Sequence, residues 1–168
     1  MEKLSLFIDR LSHQLGQTFS WLTLSMVIVM AVIVVLRYVF QIGSIALQES
    51  VIYINALIFT FGVAYTLKEQ GHVRVDIFYS RLSERRRAWV DVLGTLIFLI
   101  PSAVFIIWIS WDYVSVSWRI REGSAESSGL PFVFVLKSAI LVLPALLLLQ
   151  GVSELIKAVS ILRRRDRQ

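Results

Sequence analysis

Four long apolar runs constrain this chain more than anything else in it. The first is Phe19–Leu36, almost uninterrupted as WLTLSMVIVMAVIVVL. The others are roughly Ile45–Leu67, Trp89–Trp111 and Phe132–Ile156. A helix needs about twenty mostly apolar residues to cross the hydrocarbon core of a bilayer. Each run is long enough. At that depth no water satisfies the backbone, so a crossing segment must pair its own N–H and C=O groups, which a helix does. The expected fold is therefore an all-α integral membrane protein, a single membrane domain with spans at about 19–38, 45–67, 89–111 and 132–156. Hydrophobic residues make up 57% of the 168, above the roughly 45–50% of soluble domains. Arg37-Tyr38 follows the first run in place of a small-residue cleavage site, so that run reads as an uncleaved span.

The net charge is +5, and its distribution orients the spans. Lys3 and Arg10 precede span one. Lys68, Arg74, Arg81 and Arg85–Arg87 separate spans two and three. Lys157, Arg163–Arg165 and Arg167 close the chain, in a basic tail over 157–168. The other two loops hold only Arg37, Arg119 and Arg121. Basic residues concentrate on the cytoplasmic side, so both termini are expected in the cytoplasm. Trp21, Tyr65 and Trp89 fall at the inner boundary, and Tyr38, Trp111, Tyr113 and Trp118 at the outer one, as aromatic belts do. The same basic residues suit anionic lipid headgroups. No nucleic-acid-binding motif accompanies them, so nucleic acid is not expected as a partner.

Leu4, Phe7, Ile8, Leu11 and Leu15 recur at helical spacing among polar residues, which predicts an amphipathic interfacial helix over 1–17. Val75, Phe78, Tyr79 and Leu82 suggest a second short one, although Val73–Ile77 also alternates like a strand. The segment Glu122–Gly129, EGSAESSG, is small and polar, expected to be mobile or ordered only by a partner. Pro101 and Pro144 lie inside spans three and four, where proline removes a backbone donor and kinks helices.

Ionisable residues at membrane depth each need an explanation. Glu49 shares a helical face with Tyr53, Ala56 and Thr60. That stripe suits close packing. Three readings stand: a contact with a partner protein, a step on a proton or ion path, or an internal pair with Arg37 or Lys137. Lys137 either snorkels to the headgroups or pairs with Glu49 or Asp112. Asp91, Thr95 and Ser102 share a face of span three, and Glu154 is placed to pair with Lys157.

Catalytic chemistry finds little to work with. The chain has no cysteine and two histidines, His13 and His72, both outside the apolar runs. It has no Gly-x-Ser-x-Gly turn and no Walker A sequence. His72 and Asp76 lack further metal ligands nearby. No enzymatic activity, cofactor or metal is expected. Transporters bind substrate near the midplane between broken helices and internal repeats. Here the span centres are almost all aliphatic and no repeat is visible. A helper role follows more naturally than a carrier role.

The segment from Gln48 to Gly94, QESVIYINALIFTFGVAYTLKEQGHVRVDIFYSRLSERRRAWVDVLG, resembles the small (Q-type, DctQ-like) membrane subunit of tripartite ATP-independent periplasmic (TRAP) transporters. The resemblance is carried by Glu49 with Tyr53 four residues on, by Gly62 and Ala64, by the Gly-His-Val-x-Val-Asp string at Gly71–Asp76, and by Arg85–Arg87. Arg37–Phe40 and Leu130-Pro131 fit as well. Where the family often has a tryptophan and paired acids, this chain has Gln48-Glu49. The resemblance implies a large membrane subunit of about a dozen spans that transports a carboxylate with sodium, and a periplasmic protein that delivers it. The small subunit would brace the large one in the bacterial inner membrane. Arg37, Glu49, Tyr53, His72 and Asp76 are the expected contact residues. The rival reading is a self-sufficient proton-coupled exporter acting as a homodimer. Such exporters usually need an acid within the first span, and Phe19–Leu36 contains none.

Overall fold

The computed structural model describes residues 2–69, 71 and 82–165. His72 and Asp76 lie outside this set, as does most of the segment around Val75. Four helices are long and apolar enough to cross a membrane, and there is no strand among the described residues. They are α1 (Glu2–Tyr38), α2 (Ile45–Lys68), α3 (Glu84–Ile120) and α4 (Val133–Arg165).

Helix α1 is continuous for 37 residues, about 55 Å at 1.5 Å per residue. The separate interfacial helix expected over 1–17 is instead the first half of this rod. Its buried face is Ser5, Ile8 and Ser12, whereas Leu4, Phe7 and Leu11 are exposed. The apolar spacing was real, but the polar residues beside it have partners on α4, and those partners set which face turns inward.

The helix ends follow local chemistry. Beyond Tyr38 the chain turns through Gln41, which has a φ of 58°. Ser44 then caps α2 by accepting a hydrogen bond from the Leu47 N–H at 3.3 Å. Helix α3 comprises an α-helical Glu84–Gly94, a π-helical turn Thr95–Leu99 and an α-helical Ile100–Ile120. Pro101 has no N–H for the carbonyl of Ile97. The ladder widens just before it, and the Ile100 N–H bonds the Thr95 carbonyl five residues back. Arg121, left-handed at φ 51°, ends α3 while the Glu122 N–H bonds the Ser117 carbonyl.

The helices form an unclosed bundle. Helix α4 contacts all three others, α1 and α2 contact each other, and α3 rests chiefly on α4. Small residues make the contacts. A Cβ on Gly16 would lie 2.5 Å from Tyr65 Cβ, and one on Gly151 would lie 2.8 Å from Leu99 Cδ2. Ala88 and Val92 of α3 bury against Ala158 of α4. Phe19 stacks on Phe61 at 3.8 Å between α1 and α2. Large side chains face outward instead: Trp108 is 77% exposed and Phe98 71%. Small residues within and large apolar ones without is the packing of helices in lipid, where close backbone approach replaces the hydrophobic drive.

Candidate functional site

Polar side chains gather at the two ends of the bundle. One end carries the beginnings of α1 and the last turns of α4 and is called the terminal end. The other, the loop end, holds the α1–α2 and α3–α4 connections.

At the loop end, Glu49 in α2 reaches the α3–α4 connection. Its carboxylate accepts a hydrogen bond from the Ser124 hydroxyl and another from the Leu130 N–H at 2.6 Å. The segment expected to be loose is therefore held by this chain itself, and internally by Ser124 N–H to the Leu130 carbonyl. Of the three readings of Glu49, an internal contact is present, but with neutral donors rather than with Arg37 or Lys137. Lys137 forms an ion pair with Glu122 at 2.6 Å and lies 4.0 Å from the centroid of the Tyr113 ring. That ammonium holds the Glu122 carboxyl below its ordinary range. Trp118 donates to Ser138 at 2.8 Å, and Arg121 lies over the rings of Trp118 and Phe134. One turn beyond Glu49, the Tyr53 hydroxyl is buried with no hydrogen-bond partner among the described residues.

Arg37, in the last turn of α1, stands apart from these contacts. It lines a cavity of about 620 Å³ with Tyr38, Gln41, Gly43 and Gln48, and it makes no hydrogen bond or ion pair with any described residue.

At the terminal end, α1 and α4 are joined by a polar network that the sequence reading missed. Gln150 and Ser153 are 0% exposed. The Ser12 hydroxyl donates to Gln150 Oε1 at 2.7 Å, and Gln150 Nε2 donates to Asp9 at 3.0 Å and Glu154 at 3.2 Å. The Ser153 hydroxyl donates to Asp9 at 2.8 Å and is 2.7 Å from that of Ser5. Lys157 pairs with Asp9 at 2.7 Å as well as with Glu154 at 2.8 Å. The signal was available: Ser5, Asp9 and Ser12 share one helical face, as do Gln150, Ser153, Glu154 and Lys157. Nearby, Lys68 bonds Glu69 at 2.7 Å and approaches His13 Nδ1 at 3.4 Å. The Lys68 ammonium keeps the Glu69 carboxyl below its usual range.

These arrangements fasten helix to helix. No cluster of three His, Cys, Asp or Glu side chains suited to a metal occurs among the described residues. A groove of about 960 Å³ runs along α3 and α4, between Asp91, Thr95 and Ser102 on one wall and Pro144, Leu147 and Glu154 on the other. Its lining is mostly apolar, with Asp91, Thr95, Ser102, Glu154 and Lys157 as its polar side chains. Of the five expected contact residues, Glu49 and Tyr53 share a face of α2, Arg37 lies at the same end, and His72 and Asp76 fall outside the description.

No curated protein and no solved structure matches this chain. The family described as tripartite ATP-independent periplasmic transporters, DctQ component, matches residues 4–160, nearly the whole length and all four spanning helices. The chain belongs to the DctQ family, the small membrane component of TRAP transporters.

Proposed function

We propose that this chain braces the large membrane subunit of a TRAP transporter and conducts nothing itself. The large subunit carries out sodium-coupled uptake of an organic acid delivered by a periplasmic binding protein. The chain sits in the bacterial inner membrane with both termini in the cytoplasm, as the positive-inside distribution favours.

The observation that carries this reading is the use made of the polar groups. At both ends they fasten helix to helix, and between them the helices meet chiefly through small, aliphatic and aromatic side chains. A carrier needs polar groups converging near mid-membrane, whereas a brace needs rigidity and an apolar perimeter. The outward side chains of α3 supply that perimeter. The rival exporter needs an acid within the first span, and residues 19–36 contain none.

Within this reading, Tyr53, His72 and Asp76 contact the large subunit. Glu49 acts one step back by fixing the α3–α4 connection. Arg37, unpaired among the described residues, meets an anionic group supplied from outside the chain. Co-expression with a large membrane companion and pull-down from mild detergent tests the assignment. The two chains should elute together at a fixed ratio. A chain that elutes alone, while the companion transports at full rate without it, refutes the reading.

A further inference from the structure

We propose that the loop-end cavity of α1 and α2 binds the phosphate of a glycerophospholipid, with Arg37 as its counter-charge. The cavity measures about 620 Å³ and is lined by Arg37, Tyr38, Gln41, Gly43 and Gln48. Arg37 is the only charged residue in that lining among the described residues. A guanidinium offers several N–H groups in a planar fork that matches phosphate oxygens two at a time. Here none of them is used by a described residue, and no carboxylate among the described residues lines the cavity to compete for them. Gln41 and Gln48 each bring an amide that donates hydrogen bonds.

The backbone adds to the same field. Gly43 and Gln48 bracket the N-terminus of α2, a helix of 24 residues with no acidic residue in its first turn. Helix N-termini carry a partial positive charge that favours anions. The chain reaches this arrangement through Gln41 at φ 58°, a conformation uncommon for a residue other than glycine.

The surroundings select a lipid over a soluble anion. The cavity lies where the first apolar run ends, at the boundary between hydrocarbon and water. Val34, Val35, Val39, Phe40 and Ile42 are all exposed around it. Acyl chains cover such side chains while the headgroup is held above them. A free phosphate ion has no use for that apolar rim. The proposal does not depend on the bracing role, because it concerns this chain and the bilayer alone.

The test is native mass spectrometry of the full chain, extracted in mild detergent with whatever companion it carries, and titrated with phosphatidylglycerol. Arg37→Ala should weaken binding about tenfold, the loss of one charge-assisted contact. Gln48→Leu, which changes no charge, should weaken it about threefold on the same scale. Arg119→Ala removes a cation from the same end but not from the cavity, and should leave affinity unchanged. Diacylglycerol, lacking the phosphate, should bind far more weakly, and inorganic phosphate at equal concentration should not displace the lipid. Equal affinity in Arg37→Ala and wild type overturns the proposal, as does diacylglycerol binding as tightly. Displacement by inorganic phosphate identifies a free-anion site and overturns it too. If Arg37→Ala releases the companion while lipid binding is unchanged, the ligand is a partner carboxylate. Should Arg37→Ala fail to fold, unchanged lipid affinity in Gln48→Leu is sufficient to reject the site.

Discussion

Replacing Gln150 by leucine isolates what the terminal-end network contributes. The two side chains are of similar size, so the change removes hydrogen bonds and leaves little cavity. Gln150 is completely buried and makes three bonds, from Ser12 at 2.7 Å and to Asp9 and Glu154 at 3.0 and 3.2 Å. Two of the three, with Ser12 and Asp9, cross from α4 to α1; interhelical hydrogen bonds in membrane proteins average about 0.6 kcal/mol each, so the two give about 1 kcal/mol. The Ser12 hydroxyl, itself buried, is then left without its acceptor, and an orphaned group of that kind costs about 1–3 kcal/mol. Part of that penalty is already in the first figure, so a loss of about 2–3 kcal/mol is expected. Reversible unfolding in mixed detergent micelles measures it. The double variant Ser12→Ala with Gln150→Leu should be less damaged than the sum of the two singles, because removing both partners leaves no orphan. A Gln150→Leu chain as stable as wild type, or strictly additive singles, refutes the claim that this network fastens α1 to α4.

Three further outcomes follow from the same contacts. Gly16→Val should separate α1 from α2, since even a Cβ meets Tyr65 at 2.5 Å; overpacking of this kind costs about 1–3 kcal/mol, and a cysteine pair placed across the two helices should cross-link more slowly. Glu49→Leu should release the α3–α4 connection, so that protease cuts between Ser124 and Gly129 several-fold faster; an unchanged rate would mean that the segment is held by something else. Glu122 has its pKa lowered from 4.5 by Lys137, so the stability of that pair is present above the ordinary carboxylate pKa and is lost as pH falls through the lowered value. Protease resistance of the connection should therefore persist at neutral pH and decline only below the ordinary carboxylate pKa, and Lys137→Met should weaken this pH dependence, leaving the part that the Glu49 carboxylate carries.

The fold class was legible because span length and apolarity are properties of the chain alone. The pairing of side chains at the ends was less so. Lys137 had two candidate partners within the chain by depth, Glu49 and Asp112, and it pairs with neither. Its partner is Glu122, which the helix end at Arg121 brings back toward α4. That placement depends on a left-handed residue that no pattern of hydrophobicity marks. The first seventeen residues show the same limit. Their apolar spacing predicted a helix lying in the interface, and only the complementary polar row on α4 explains why Ser5 and Ser12 turn inward. Glu49 was singled out as a residue needing an explanation. Its neutral partners lie 75 and 81 positions away, beyond the reach of any local rule.

The bracing role is tested most directly by flux. Proteoliposomes holding this chain alone, a large companion alone, or both, with the binding protein outside and a sodium gradient imposed, are assayed for uptake of labelled carboxylates. The account predicts uptake only where both membrane chains are present. Uptake by this chain alone, or full-rate uptake by the companion without it, would contradict the account.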